Sequence, residues 1–351
     1  MARVFSGIQP SGELHIGNYL GAVQRWVALQ SQYQCFICIV DYHAITQDYE
    51  PSKLEARTLD MATSLLAAGI DPERTVLFVQ SHVLEHTELA WVFTSVTPVG
   101  ELERMTQFKD KSQRQESVLA GLMNYPVLQA ADVLLYKADT VPVGEDQVQH
   151  VELMREIARK WTARYGDFFP EPQALVGEAK RIVGLDGQAK MSKSLGNTIG
   201  LLDDPEAIWQ RLRPAMTDPA RVTKKDPGNP DICNIYALHK FFSPNETVDE
   251  VAQKCRTAGW GCLDCKRVLA DNIAKAFAPI RERAAELRAR PERVREMLAA
   301  GAAKARRVAQ ETMHGVRERM GLLAGGRTGG QADVEPGPPD RPPGRPRRAK
   351  R

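Results

Sequence analysis

The first 150 residues alternate short apolar runs with helix-patterned stretches, and that alternation leaves few folds open. Val4-Phe5-Ser6-Gly7-Ile8, Cys35 to Val40, Thr75 to Gln80 and Thr140 to Val143 read as strands. Between them, Ile16, Leu20, Val23 and Val27 recur at helical spacing, and Ser52-Lys53-Leu54-Glu55 reads as a capping box opening a helix that stops at Gly69. Further helices are expected over about 85–96 and 117–137, with the polar segment 101–111 a surface loop or short helix. A βαβαβ order implies an α/β fold built on a parallel sheet, with ligands at the carboxyl ends of its strands. From Asp204 onward no strand pattern is found, only helical segments broken at Pro214, 224–230, Pro244, Gly259-Trp260-Gly261 and Pro291. The expected organisation is an α/β domain over 1–200, an all-α domain over 201–324 and a basic tail over 325–351, whose Gly, Pro and Arg cannot bury a core.

At 351 residues the chain is long enough for two domains with full cores. No apolar run approaches the roughly 18 residues of a membrane span, and the N-terminus enters a strand at once without a signal-peptide pattern. A cytoplasmic protein with no membrane attachment is expected. The net charge of +3 is unevenly placed: residues 327–351 hold seven Lys/Arg against three Asp/Glu, which leaves the rest at −1. Any RNA contact by the body must therefore rest on local patches.

Two short stretches carry the chemistry. Pro10-Ser11-Gly12-Glu13-Leu14-His15-Ile16-Gly17-Asn18 sits where a strand turns into a helix, so it aims unpaired N–H groups and partial positive charge at an anion. Lys190-Met191-Ser192-Lys193-Ser194, between the strand-like Arg181-Ile182-Val183 and a helix opening at Asp204-Pro205, reads as a flexible loop. Its two lysines, three residues apart, suit a departing pyrophosphate. A second strand-to-helix turn at Gly144-Glu145-Asp146-Gln147 completes a nucleotide cleft. Asp132 interrupts the apolar stretch from Leu128 to Tyr136 and must be a cap, an ion-pair member or a ligand group, because a bare buried carboxylate is costly.

The six cysteines fall into two groups. Cys35 and Cys38 lie in a strand and face opposite ways, as core thiols would. Cys233, Cys255, Cys262 and Cys265 form C-x21-C-x6-C-x2-C in the helical region. Four such thiols suit tetrahedral zinc or a 4Fe-4S cube, with unliganded thiols the remaining alternative.

In order and spacing, the two stretches resemble the HIGH and KMSKS signatures of class I aminoacyl-tRNA synthetases. Over 4–324 the chain is similar to the tryptophanyl members, in which the first signature usually closes on Asn, as on Asn18 here. The resemblance implies a Rossmann catalytic domain, a helical anticodon-binding domain, a homodimer, and synthesis of tryptophanyl-adenylate from L-tryptophan and Mg2+-ATP before transfer to tRNA(Trp). Lys111, Lys190, Lys193 and His15 would serve activation. Gln9, Pro10, Ser11, Gly17, Asn18, Gly144, Glu145, Asp146, Ile182, Met191, Ser192 and Ser194, with Lys190 and Lys193, would surround ATP. Asp132 would accept from the indole N–H, with Phe5, His43, Val141 and Val143 around the ring and Tyr125 and Gln147 toward the α-amino group. Gln129 departs from the family, where Met is more familiar. The cysteine pattern is similar to that of a subset holding a 4Fe-4S cluster, whose first gap is one residue longer. A tyrosyl enzyme of the same class, or a non-catalytic RNA-binding or redox-sensing relative, would share part of this pattern.

Overall fold

The computed structural model describes residues 1–113, 117–177 and 182–323. Its sheet has five parallel strands, β1 (Arg3–Ile8), β2 (Gln34–Ile39), β3 (Thr75–Val79), β4 (Thr140–Val143) and β5 (Gln173–Val176), in the order β3-β2-β1-β4-β5. The expected parallel α/β sheet is present. The chain winds outward from β1 in one direction and from β4 in the other, so the crevice beyond their carboxyl ends is a switch point. The region beyond 201 is helical among its described residues, with helices Pro205–Leu212, Asn234–Phe242, Asn245–Arg256, Cys262–Arg288 and Pro291–Met320.

Alternation along the strands divides the interior into two cores. On β2, Ile37 and Ile39 face one core while Phe36 and Cys38 face the other; on β3, Leu77 and Val79 oppose Phe78. Cys35 and Cys38 are both buried and belong to different clusters, so they are core thiols as expected. The first core continues into the helical region through Ile208, Leu269, Ile273 and Phe277. Helix Pro291–Met320 crosses the edge strand β3 and joins the two, with Val294 and Leu298 in the first core and Ala305, Met313 and Val316 in the second. At the crossing stands Gly301, where a Cβ would lie 1.8 Å from the Leu77 carbonyl oxygen. A glycine is what lets the helix lie against the strand and cover the edge.

Several local expectations need correcting. The helix Pro51–Ala67 starts on Pro51 with Glu50 as its N-cap and no side-chain capping bond, so Ser52 lies inside the first turn and no capping box opens it. Residues 101–111 fall in two short helices, Val99–Glu103 and Thr106–Ser112, and the long helix after them is Ala120–Leu134. Strand β5 was not expected: four half-exposed or exposed residues at a sheet edge are too few to show a period. Ile182 is not in a strand, and Val183 makes only an isolated bridge to Lys190. Arg181 and the 324–351 tail lie outside the described residues. The helix opening at Asp204-Pro205 is as expected, with Asp204 accepting from the Ala207 N–H at 2.8 Å.

Candidate active site

A cleft of about 440 Å³ opens at the carboxyl ends of β1 and β4. The two central strands supply Phe5, Gly7, Gln9, Val141, Val143 and Gly144, and helix Ala120–Leu134 supplies Tyr125, Gln129 and Asp132. His43, Gln147 and Lys111 complete the wall, so all eight residues expected around an indole share one cavity. Gln107 and Trp26 also line it and carried no sequence signal. Tyr125 shares a 3.0 Å hydrogen bond with His150, and burial pushes the phenol up to about 12. Burial, helped by Lys111, holds His150 down at about 4. Lys111 stands 5.0 Å from the Tyr125 ring centroid and is itself depressed by burial.

Asp132 is 1% exposed and accepts three hydrogen bonds from protein side chains. Its Oδ2 accepts from His43 Nε2 at 2.7 Å, and its Oδ1 accepts from Gln80 Nε2 at 2.7 Å and His86 Nδ1 at 2.6 Å. Burial alone would push this carboxyl up, but the two imidazoles and their hydrogen bonds together hold it well below the usual carboxylate range. An ionised acceptor thus lines a cleft whose walls mix apolar and polar side chains. The ion-pair and ligand readings of Asp132 are compatible, because His43 lines the same cleft.

The HIGH-like segment meets, backbone to backbone, the stretch that follows the KMSKS-like one. Ile16 N–H donates to Ile199 O at 3.0 Å and Leu201 N–H to Leu14 O at 2.7 Å. Lys193 Nζ reaches Ser11 O at 3.5 Å, while Lys190 is exposed. Burial lowers the Lys193 ammonium, with Arg57 acting the same way against Glu13. His15 caps the helix that starts at Ile16: its Nδ1 accepts from Asn18 N–H, and Asn18 Oδ1 accepts from His15 N–H, both at 3.3 Å. Burial, then Lys193 and Lys190, hold this imidazole at about 4, so it is neutral and carries its proton on Nε2. Asn18 therefore completes a capping box, a role not foreseen for it. Gly17 is needed because a Cβ would stand 3.0 Å from the His15 ring and 3.3 Å from Met191 Cβ; at Gly144 it would meet Asp146 Oδ1 at 2.7 Å. In both places the space is taken by the protein's own side chains.

Around the second motif, Asn197 is the staple that sequence reasoning missed. Its Oδ1 accepts from Ser192 N–H at 2.7 Å and its Nδ2 donates to Asp186 at 2.8 Å and Lys190 O at 3.4 Å. Met191 is buried and bonds back to Ile182 O, also buried; Lys193–Leu195, including Ser194, is a single tight turn. Pro10 is buried and Ser11 exposed beside it; Glu145 is exposed, and the Asp146 carbonyl and carboxylate meet Gln107 and Gln147.

The four cysteines of the helical region line one small cavity with Arg221, Trp260 and Tyr236. Among the described residues, however, no group of three or more His, Cys, Asp or Glu side chains is arranged to hold a metal ion. Burial, reinforced by the other three cysteines, pushes the Cys265 thiol up to about 12, and burial raises Cys255 against the pull of Arg221. Among the described residues no helix is long and apolar enough to cross a membrane.

Comparison with known proteins agrees with this geometry. Residues 1–278 match the family of class I tRNA synthetases (W and Y). The chain is 58% identical over 328 residues to the tryptophan–tRNA ligase of Deinococcus radiodurans, covering 92% of this chain and 99% of that one. It is 45% identical over 327 residues to the Thermotoga maritima tryptophan–tRNA ligase, with the same coverage. The crystal structure of Campylobacter jejuni tryptophanyl-tRNA synthetase complexed with ADP and tryptophan superposes with a TM-score of 0.86 at 40% identity, covering 91% of this chain and all of that one. The chain belongs to the class I tRNA synthetases and, within them, to the bacterial tryptophan–tRNA ligases.

Proposed function

We propose that this cleft condenses L-tryptophan with Mg2+-ATP and that the adenylate formed there charges tRNA(Trp). The observation that carries the residue-level reading is the ionised Asp132 in the wall of a cleft that Phe5, Val141, Val143 and Lys111 also line. An indole offers one N–H donor on a broad hydrocarbon surface, and Asp132 between Phe5, Val141 and Val143 is its complement. Tyr125 and Gln147, in the same wall, are our candidates to receive the α-amino group. The amino-acid carboxylate is already a nucleophile, so no general base is required, and catalysis reduces to positioning and charge. Lys190, Lys193 and Lys111 are the cations for the triphosphate, and His15, held neutral with Nε2–H outward from its cap, donates without adding charge. Pyrophosphate exchange in parallel with tryptophan and tyrosine tests the reading: tryptophan should be favoured by about a hundredfold or more. Equal exchange with both, or none with either, would overturn it.

The helical region is our candidate for the anticodon surface. We also infer a homodimer, supported by Leu84 and Trp91, 64% and 75% exposed and two turns apart on one side of helix Glu85–Thr94. The four-cysteine cavity is the seat we infer for a 4Fe-4S cluster, with zinc the alternative, held by Cys233, Cys255, Cys262 and Cys265. Its donor set fits, since four soft ligands line one cavity, and Arg221 at the same cavity keeps a buried Nε with no hydrogen-bond partner, a donor suited to an anionic centre. A bound cluster would supply a rigid cross-link between the segments bearing these cysteines. Anaerobically purified protein should be brown, with about four iron and four sulfide per chain. Colourless, metal-free and fully active protein would refute this.

A further inference from the structure

Behind the cleft wall lies a histidine that activation, as argued above, does not use. His86 is completely buried, with Nδ1 2.6 Å from Asp132 Oδ1 and Nε2 2.8 Å from Tyr136 Oη. Gln80 donates to the same Oδ1 at 2.7 Å, and its own Oε1 accepts from Tyr42 N–H at 3.1 Å, which fixes which end of the amide faces the carboxylate. Tyr136 is clamped in turn, stacked on Phe36 at 4.6 Å and on Phe5 at 5.6 Å. Phe5 lines the cleft; Tyr136, His86 and Gln80 do not.

The two carboxylate oxygens are therefore unequal. Oδ1 receives two donors from behind the wall, which uses its lone pairs. Oδ2 receives His43 alone among the described residues, and His43 lines the cleft, so the remaining acceptor position of Asp132 lies on the cleft side. The proton inventory of His86 agrees with this arrangement. An ionised carboxylate can only accept, so His86 carries a proton on Nδ1, where it meets Asp132, while its Nε2 meets the Tyr136 hydroxyl. We infer that His86 is a positioning residue for indole recognition: with Gln80 it anchors Oδ1, and Tyr136 holds its other ring nitrogen, so that Oδ2 alone is presented to the ligand. This inference rests on the reading of Asp132 as the indole acceptor.

The test measures equilibrium binding of tryptophan and of its benzothiophene analogue, in which sulfur replaces the indole N–H, to the full-length protein. Wild type should favour tryptophan by about tenfold or more, the effect of leaving a buried charged acceptor unpaired. His86→Leu should cut that preference to about threefold or less while ATP affinity stays unchanged, whereas His86→Asn, whose amide nitrogen takes the place of Nδ1, should keep most of it. Gln80→Met, which removes the other donor to Oδ1, should act as His86→Leu does and serves if the leucine variant does not fold. A wild type that does not distinguish the two ligands would defeat the Asp132 reading itself. A distinguishing wild type with an unchanged preference in folded His86→Leu or Gln80→Met would overturn the positioning role. Equal loss in His86→Asn would also overturn it, since His86 would then matter only for packing.

Discussion

Replacing Asp132 by asparagine separates recognition from stability in a way that alanine cannot. Asp132→Ala would strand three buried donors, those of His43, His86 and Gln80, each worth about 1–3 kcal/mol when left unpaired. Such a variant loses the fold and the ligand together. Asparagine keeps one oxygen, and the geometry decides where it goes: Oδ1 has two donors to satisfy and Oδ2 only one, so the amide oxygen takes the Oδ1 place. Its NH2 then faces His43, which can retautomerise to accept, and faces the cleft.

An indole N–H entering that cleft meets a donor where the carboxylate had been an acceptor. The lost bond was to a charged group, about 1.5–3 kcal/mol, or roughly 10- to 150-fold in tryptophan affinity. The cost to the fold is smaller than for alanine, about 1–3 kcal/mol for exchanging charge-assisted bonds for neutral ones, and shows as a thermal midpoint lower by several degrees. Isothermal titration with tryptophan, ATP and the benzothiophene analogue reads the three effects apart: tryptophan weakened, ATP unchanged, the analogue nearly unchanged. A folded Asp132→Asn protein binding tryptophan within about threefold of wild type would refute the reasoning, because a hydrogen bond to this carboxylate of the expected size cannot vanish at so small a cost.

Lys193→Ala should lower the activation rate roughly 100- to 1000-fold with little change in tryptophan binding, as for removal of one preorganised donor from developing charge; single-turnover adenylate formation measures it. Gly301→Ala should destabilise the protein by about 2 kcal/mol or more, because overpacking against the Leu77 carbonyl outweighs the roughly 1 kcal/mol that alanine gains in a helix interior; urea unfolding decides, and a stabilised variant would contradict the crossing geometry. His15, His150 and His239 are buried and held at about 4, below the ordinary 6.5. Folding therefore sheds protons at these sites, and their contribution is present above pH 6.5 and lost as pH falls toward 4. Each should cost about 2 kcal/mol between pH 7 and pH 5, and a flat unfolding midpoint across that range would count against neutral burial of all three.

What was legible in the chain followed from local repetition. Short apolar runs and helical patterns located β1 to β4 and most of the helices, while only the resemblance to class I synthetases gathered Phe5, His43, Tyr125, Asp132 and Gln147, which span 142 positions and line one cleft. Where a feature depended on a neighbour distant in sequence, the pattern was silent. β5 exists because β4 offers it a partner, Gly301 is small because of Leu77, and His86 reads as one more residue of an amphipathic helix until Asp132 arrives 46 positions later. The same limit bears on Asp132 itself. Its neighbours in the chain are apolar, so the local sequence demanded a partner without naming one, and an ion pair and an indole were rival answers. The fold removes the rivalry by using different oxygens: Oδ1 is held by Gln80 and His86, while Oδ2, shared with His43, stands on the cleft side. A buried carboxylate can thus be both anchored and receptive, since the donors that fix it also keep it charged where its own burial would otherwise favour the neutral acid.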